Sequence, residues 1–214
     1  MIKAVLFDMD GVLVDSEEFI RRAAIMMFAE KGVKACDEDF FPFTGTGENR
    51  FLGGVAEKYG ISLDIERDKA RTYEIYEKIT EGKLEALPGV QQTLHLCKSR
   101  NLKTAIATSA DEIKMLINLK RIKLSADTFD VRIFADMITH KKPHPEIYLT
   151  AARYLHVLSS ECLVIEDAPS GLQAGKAAAM KCLALTTSFS PEELSLADWI
   201  IRDLSEIREE FFNW

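Results

Sequence analysis

The strongest fold signal lies in the segment Ile2-Lys3-Ala4-Val5-Leu6-Phe7-Asp8-Met9-Asp10-Gly11, within a chain of 214 residues. Ile2 to Phe7 is a short apolar run without the alternation of a half-exposed strand, so it predicts a strand buried on both faces of a parallel sheet. Two carboxylates follow at once, and Gly11 permits a sharp turn after them. Such a pair can converge on one hard cation, although a plain turn or helix cap has the same pattern.

Similar apolar runs recur along the chain. They predict further strands at Thr104–Ala107, Val131–Phe134, Cys162–Ile165 and Cys182–Leu185, and a sixth at Trp199–Ile201. Helical spacing between them predicts one buried face per helix. The three faces are Val90, Leu94 and Cys97; Ile113, Leu116 and Lys120; and Ile147, Ala151 and Leu155. Repeated strand–helix–strand order predicts an α/β fold with a doubly wound, mainly parallel sheet and right-handed crossovers.

One long block breaks this rhythm. Residues 16–86 contain helical patterns only, with Gly32 and Gly60 as stop signals, and Leu87-Pro88-Gly89 marks the return to strands. We therefore predict an α/β catalytic core at residues 1–15 and 87–214 and an inserted all-helical cap at residues 16–86. The two chain crossings, near 14–16 and 82–87, would form a hinge.

Composition limits the partners. Lys and Arg number 27 against 34 Asp and Glu, a net charge of −7, and 47% of the residues are hydrophobic. No Lys/Arg stripe supplies the charge that a general nucleic-acid surface needs, so no nucleic-acid partner is expected. The longest apolar stretches, such as Ala23–Ala29, fall far short of the ~20 residues of a membrane span, so no membrane partner is expected either.

Cysteines and histidines carry no clear site. The four cysteines contain no C-x-x-C pair, which predicts reduced, mostly buried thiols. With no signal-peptide pattern at the N-terminus, we expect a cytoplasmic protein. His140 and His144 have the spacing of a metal pair on a helix, but Pro143 and Pro145 prevent a helix there, so both are expected in a loop.

Polar residues follow the other predicted strands. Thr108-Ser109-Ala110-Asp111 comes after the second strand and is either an anion seat at a helix N-terminus or a routine N-cap. His140-Lys141-Lys142-Pro143 offers either a solvated lysine pair or one lysine aimed inward. Glu166-Asp167 follows the fourth strand as a second carboxylate pair. Buried acids need a counter-charge, which a divalent cation would supply.

Taken in order, these residues resemble the four motifs of the haloacid dehalogenase superfamily: Asp8-x-Asp10, Thr108, Lys142 and Glu166-Asp167. The chain is similar to the β-phosphoglucomutase-like subgroup, in which a helical cap lies between the first and second motifs. The resemblance covers almost the whole chain.

The resemblance implies a role for each motif residue. Asp8 would attack phosphorus and form an aspartyl-phosphate, with Asp10 as general acid and base. Thr108, Lys142 and the backbone N–H groups of Ser109 and Ala110 would bind the transferring phosphoryl group. Mg²⁺ would be held by Asp8, the backbone carbonyl of Asp10 and Asp167, with Glu166 as support. A carboxylate approaching a phosphate dianion is repelled without such a cation.

The cap contains a segment similar to the family's specificity loop, Phe43-Thr44-Gly45-Thr46-Gly47-Glu48-Asn49-Arg50. The resemblance makes Gly45, Thr46, Gly47 and Glu48 candidate substrate-binding residues. A glycine-rich turn before the next helix explains the same segment equally well.

Departures from the subgroup pattern narrow the function. Asp111 and Glu112 stand where β-phosphoglucomutases bind a second phosphate, and Glu48 stands where a cap arginine is expected. Carboxylates at these positions would repel the second phosphate that a mutase binds. They therefore favour a Mg²⁺-dependent phosphatase of a small phosphorylated metabolite, such as a sugar phosphate. A β-phosphoglucomutase-like phosphotransferase is the alternative, and a catalytically idle binding protein is a third hypothesis. The dehalogenases of this superfamily lack the second acid of the first motif, so the presence of Asp10 argues against carbon–halogen cleavage by this chain. No interface signature indicates an oligomeric state.

Overall fold

The protein is described by a computed structural model that covers residues 1–43, 45 and 47–213. Its sheet has six strands, all parallel, in the order β3-β2-β1-β4-β5-β6. The strands are β1 Ala4–Phe7, β2 Lys103–Ala107, β3 Val131–Ile133, β4 Cys162–Glu166, β5 Lys181–Leu185 and β6 Trp199–Ile201. The predicted strands match within two residues, and β1 begins at Ala4 because its ladders with β2 and β4 begin there.

Seven helices accompany the sheet within the described part of the chain. They are α1 Glu17–Glu30, α2 Glu48–Tyr59, α3 Ile65–Ile79, α4 Val90–Ser99, α5 Glu112–Arg121, α6 Glu146–Leu155 and α7 Pro169–Ala177. Short 3₁₀ turns lie at Asp37–Asp39, Phe41–Phe43, Ala126–Thr128, Ala135–Met137, Ser159–Glu161, Leu204–Glu206 and Glu209–Phe212.

The central strand β1 is buried on both faces. Val5 and Phe7 pack into one apolar cluster with side chains of α4 and α5. Ala4 and Leu6 pack into a second cluster with side chains of α6 and α7. Successive strand residues point to opposite faces, so two covered faces require the unbroken apolar run that the sequence contains. The doubly wound α/β fold predicted from the sequence is confirmed.

The predicted buried face of α5 is wrong. Ile113 and Leu116 are 48% and 42% exposed. The buried face instead contains Met115 and Leu119, which pack under the sheet, and Lys114. The helical spacing could not separate the two faces because both carry apolar residues.

Helices α1, α2 and α3 form the inserted helical cap, and they lie between β1 and β2 in the chain. They share an apolar core of their own, to which α5 contributes Ile117. Helix α2 ends, as predicted, at Gly60 in the left-handed conformation (φ 65°).

The two chain crossings between sheet and cap run side by side. The Leu87 N–H donates to the Leu13 carbonyl at 3.0 Å, and Val14 and Ala86 form an antiparallel bridge. The exact boundaries of core and cap, and hinge motion at these crossings, stay predictions.

Two further expectations concern cysteines and membranes. Cys97, Cys162 and Cys182 are buried, Cys36 is exposed, and none is in a disulfide. Within the described parts of the chain, no helix has both the length and the apolar character required to cross a bilayer.

Candidate active site

The motif residues meet at the carboxyl edge of the sheet. Asp8 follows β1, Thr108 follows β2, and Glu166 and Asp167 end and follow β4. Because β2, β1 and β4 are neighbours in the sheet, these residues come together although they are far apart in the chain. They line a cleft of about 580 Å³ between the sheet and the cap.

Lys142 enters this edge from the loop between β3 and α6. Its Nζ lies 2.5 Å from Asp8 Oδ1 and 2.6 Å from Glu166 Oε1, and it donates to the Ala107 carbonyl at 3.1 Å. Burial opposes the charge on Lys142, but the carboxylates of Asp8 and Glu166 outweigh it and raise the pKa of the lysine. The Lys142 side chain therefore faces inward, and the two carboxylates stabilise its charge.

Three carboxylates form an acidic cluster around that lysine. Oxygens of Asp8, Glu166 and Asp167 lie within 4.8 Å of one another. Burial raises the pKa of Asp8 to about 7, with Lys142 opposing and Glu166 adding to the rise. Burial, followed by the charges of Glu166 and Asp8, also raises the pKa of Asp167. One lysine balances only one of three carboxylates, so the cluster fits a divalent cation, and its all-oxygen donors suit a hard one.

Gly11 permits the close approach of the first motif to Asp167. Its φ is +77°, and a Cβ at this position would lie 1.9 Å from Asp167 Oδ2. Only glycine leaves room for that carboxylate.

Both oxygens of Glu166 already have protein partners. Oε1 accepts from Lys142 and from the Tyr148 hydroxyl at 2.6 Å. Oε2 accepts from the backbone N–H groups of Asp167 at 3.0 Å and Ala168 at 3.2 Å. This arrangement suits a group that orients its neighbours, and the supporting role expected for Glu166 stays a prediction.

The Asp10 carboxylate is not one of the three that form the acidic cluster. Its Oδ1 accepts a hydrogen bond from the Ser16 hydroxyl, and its Oδ2 accepts one from Lys114 Nζ at 2.8 Å. Lys114 is 3% exposed and lines the cleft. Both sequence-predicted aspartates therefore border the cleft, but only Asp8 belongs to the carboxylate cluster.

Lys114 and Ser16 were missed by the sequence analysis. A lysine in a helix is normally solvated, and the spacing of α5 had assigned another face as buried. Lys114 is identified as a site residue by its contact with Asp10. Ser16 sits directly before α1, a position that reads as an ordinary N-cap, yet its hydroxyl reaches Asp10 instead of capping the helix.

The candidate phosphoryl-binding loop follows β2. Thr108, Ser109 and Ala110 all line the cleft. The Ala110 N–H donates to Thr108 Oγ1 at 3.1 Å, so the loop is already closed by its own hydrogen bond. Ser109 Oγ is buried without a hydrogen-bond partner among the described residues. A buried hydroxyl without a partner is available to a phosphoryl oxygen.

The cap contributes the opposite wall. Gly45, Gly47 and Glu48 line the cleft, and Thr46 lies outside the described residues. Burial raises the pKa of Glu48 to about 7, although the charge of Lys114 opposes that rise. Glu48 Oε1 lies 4.0 Å from Lys114 Nζ, and its Oε2 has no hydrogen-bond partner within the described chain.

Of the three carboxylates expected to oppose a second phosphate, only Glu48 lines the cleft. Asp111 pairs with Lys69 at 2.8 Å, Glu112 is exposed, and neither lines the cleft. The carboxylates that line it beyond the acidic cluster and Asp10 are Asp15, Glu17 and Glu48.

Comparison with known proteins gives one consistent family. The sequence-family model of the haloacid dehalogenase-like hydrolases matches residues 5–185 of this chain. The chain is 47% identical over 192 residues to the chloroplastic protein SUPPRESSOR OF QUENCHING 1 of Arabidopsis thaliana, covering 88% of this chain but only 18% of that protein. It is 35% identical to a phosphorylated carbohydrates phosphatase of Thermotoga maritima, covering 84% of this chain and 83% of the relative.

Among solved structures, a β-phosphoglucomutase from Clostridium difficile superposes with a TM-score of 0.85 at 25% identity, covering 100% of this chain and 96% of that one. The chain thus belongs to the haloacid dehalogenase-like hydrolases, as a β-phosphoglucomutase-like member with a helical cap and of the phosphoric monoester hydrolase class.

Proposed function

We propose that this chain is a Mg²⁺-dependent phosphatase that hydrolyses a small phosphorylated metabolite, of the sugar-phosphate class, through an aspartyl-phosphate at Asp8. One observation carries the proposal: the buried side chain of Lys142 contacts two carboxylates of a three-carboxylate cluster at the carboxyl edge of the sheet. This contact supports the proposed roles, because the residues proposed as nucleophile, phosphoryl-binding cation and metal ligands all line one cleft.

Asp8 is the nucleophile in this proposal. Its carboxylate attacks phosphorus, the P–O bond to the leaving group breaks, and the phosphoryl group stays on Asp8 until water removes it. Lys142, Thr108, Ser109 and the backbone after β2 stabilise the phosphoryl oxygens, where negative charge is concentrated.

Asp10 is the general acid and base. Protonated, it gives its proton to the leaving oxygen, and as a carboxylate it then takes a proton from the water that attacks phosphorus. Ser16 and Lys114 hold its two oxygens, so its side chain is oriented before substrate arrives.

A divalent cation fits the acidic cluster, and we propose Mg²⁺. Asp8, Asp167 and the backbone carbonyl of Asp10 would hold it, and Glu166 would orient them. When bound, Mg²⁺ offsets the repulsion between the carboxylates and the phosphate dianion.

The rest of the cleft favours an uncharged, hydroxyl-rich leaving group. The carboxylates of Asp15, Glu17 and Glu48 can accept hydrogen bonds from substrate hydroxyls and, when ionised, would repel a second anion, while Phe43 and Phe51 offer apolar surface. A relative named for phosphorylated carbohydrates supports the sugar-phosphate class. The alternative, a phosphotransferase, is supported by the likeness to a β-phosphoglucomutase.

The test is phosphate release from a panel of hexose, pentose and triose monophosphates, with and without Mg²⁺, and with Asp8→Asn as control. Mg²⁺-dependent phosphate release by the wild-type protein, with no release by Asp8→Asn, supports the phosphatase. Bisphosphate-dependent isomerisation of β-glucose 1-phosphate without release supports the phosphotransferase. Absence of both activities would favour the idle binding protein.

Two other expectations stay with this proposal. We place the cap at residues 16–86, around the core at 1–15 and 87–214. We also keep the cytoplasm as the expected compartment, because none of the four thiols is in a disulfide.

A further inference from the structure

A second group of potential metal ligands lies outside the cleft, on the loop that carries Lys142. His140, His144 and Glu146 each offer one ligand atom, and these atoms lie within 4.8 Å of one another. The two imidazole rings are in contact, with centroids 4.5 Å apart. Pro143 and Pro145 do prevent a helix, but the loop itself brings the two rings together.

The loop is fixed by its own hydrogen bonds. The carboxylate of Glu146 accepts the backbone N–H groups of Thr139 at 2.8 Å and His140 at 2.9 Å. The His144 N–H donates to the Lys141 carbonyl at 2.9 Å. The potential ligands are therefore held close together by the loop backbone, which lowers the entropy cost of binding.

Glu146 is a carboxylate at neutral pH. The backbone N–H of Thr139, the His140 ring and the backbone N–H of His140 together hold the pKa of Glu146 at about 2. Its Oε2 lies 2.7 Å from His140 Nδ1 and 3.9 Å from His144 Nδ1. His144 Nδ1 also accepts the Glu146 backbone N–H at 3.3 Å. A metal ion between these atoms would displace that N–H to solvent water and would replace the hydrogen shared by His140 and Glu146, whose proton would also go to solvent.

We propose that His140, His144 and Glu146 form a binding site for a borderline divalent transition metal such as Zn²⁺. Two imidazoles and one carboxylate are a ligand set that suits Zn²⁺, whereas the all-oxygen cluster at Asp8 suits Mg²⁺. The His140 and His144 side chains are 63% and 50% exposed, so the ion can reach the site and water can complete its coordination.

The test is calorimetric titration of the full chain with Zn²⁺ in saturating Mg²⁺, which occupies the acidic cluster. The variants are His140→Ala, His144→Ala and Glu146→Gln, and the matched controls are His95→Ala and His156→Ala, the other two histidines of the chain, both exposed. Exposed Cys36 is kept in every protein, so any binding it contributes cancels. Thermal unfolding without Zn²⁺ checks that each variant folds.

We expect one Zn²⁺ site whose affinity falls by about tenfold or more in the three loop variants and stays unchanged in both controls. Zn²⁺ should also shift the ¹⁵N resonances of the His140 and His144 rings and leave those of His95 and His156 in place. Equal Zn²⁺ binding by wild-type protein and the His140→Ala/His144→Ala double variant would overturn the proposal. So would ring shifts confined to the control histidines.

Discussion

Lys114 Nζ lies 2.8 Å from Asp10 Oδ2, in a contact that joins helix α5 to the first motif. Lys114 is buried, and its pKa is raised because, although burial opposes its charge, the carboxylates of Asp10, Glu17 and Glu48 outweigh that effect. A fixed cation beside the proposed acid and base orients that group, and Glu48 brings the cap wall to the same lysine. Lys114 is therefore a positioning residue for Asp10.

Lys114→Met should impair turnover in a way that depends on the leaving group. Alkyl phosphates need a proton on the leaving oxygen, so kcat should fall by about 10²-fold, within the range of general acid catalysis. Aryl phosphates leave without that proton, so phosphorylation of Asp8 should be nearly unaffected in single-turnover measurements. Lys114→Arg should restore part of the loss.

The control for this variant is Lys120→Met, on the same helix but exposed and paired with Glu77 at 3.1 Å. It should behave as wild type. Equal losses for alkyl and aryl phosphates with Lys114→Met would assign the lysine a purely structural role.

Asp8→Asn should remove turnover, by at least about 10³-fold, while the protein stays folded. The change is nearly isosteric, and it takes one charge from a cluster in which three carboxylates face one lysine. In the absence of Mg²⁺ the variant should therefore unfold at a temperature no lower than wild type at pH 8. A wild-type rate in phosphate-release assays would refute the role of Asp8.

Gly11→Ala should weaken Mg²⁺ binding, because its Cβ would occupy the position of the Asp167 carboxylate. The matched control is Gly60→Ala, which also has a positive φ but has open space around it. Both variants should lose about 1 kcal/mol of stability from backbone strain, and only Gly11→Ala should lose Mg²⁺ affinity and activity. Calorimetric Mg²⁺ titration of the two variants measures the difference.

Glu48→Gln should make the protein more stable at pH 8 and flatten its pH dependence. Burial raises the pKa of Glu48 from 4.5 to about 7, so the folded state binds this proton more tightly than the unfolded state. That contribution is fully present below pH 4.5 and is lost as pH rises through about 7. Glutamine carries no charge to bury, so we expect a gain of about 1–3 kcal/mol at pH 8 and little change at pH 4.

Denaturant unfolding of Glu48→Gln at both pH values, without metal, measures this gain. An equal change at both pH values would contradict the assignment of the pH effect to Glu48.

The sequence was sufficient for the fold and for most of the candidate site because those signals are local. An unbroken apolar run such as Ala4–Phe7 can only be covered on both faces, and the residues that follow it must then lie at the ligand-binding edge. Asp8, Thr108 and Glu166 are predictable as strand-end residues for that reason, whereas the choice of Lys142 over Lys141 rests on the resemblance to the haloacid dehalogenase motifs.

The remaining features depend on contacts between distant parts of the chain. Helix α5 has apolar residues on two faces, and its buried side is decided by how it packs between sheet and cap, so neither Leu119 nor Lys114 could be assigned from spacing. His140 and His144 meet through the path of a loop with two prolines, which no periodicity describes. Asp111 is neutralised by Lys69 from the cap, a pair separated by 42 positions in the chain.

Asp8 is tested as the nucleophile by detection of a phosphoryl group on its carboxylate. Asp10→Ala should be mixed with an aryl phosphate and Mg²⁺ and quenched in acid, since this variant can form the intermediate from a good leaving group but lacks the base that removes it. Mass spectrometry should find one added phosphoryl group on the peptide that contains Asp8, and none in the Asp8→Asn/Asp10→Ala double variant. A phosphoryl group on another residue, or steady phosphate release by wild-type protein with no trapped phosphoprotein in Asp10→Ala, would show that Asp8 is not the nucleophile.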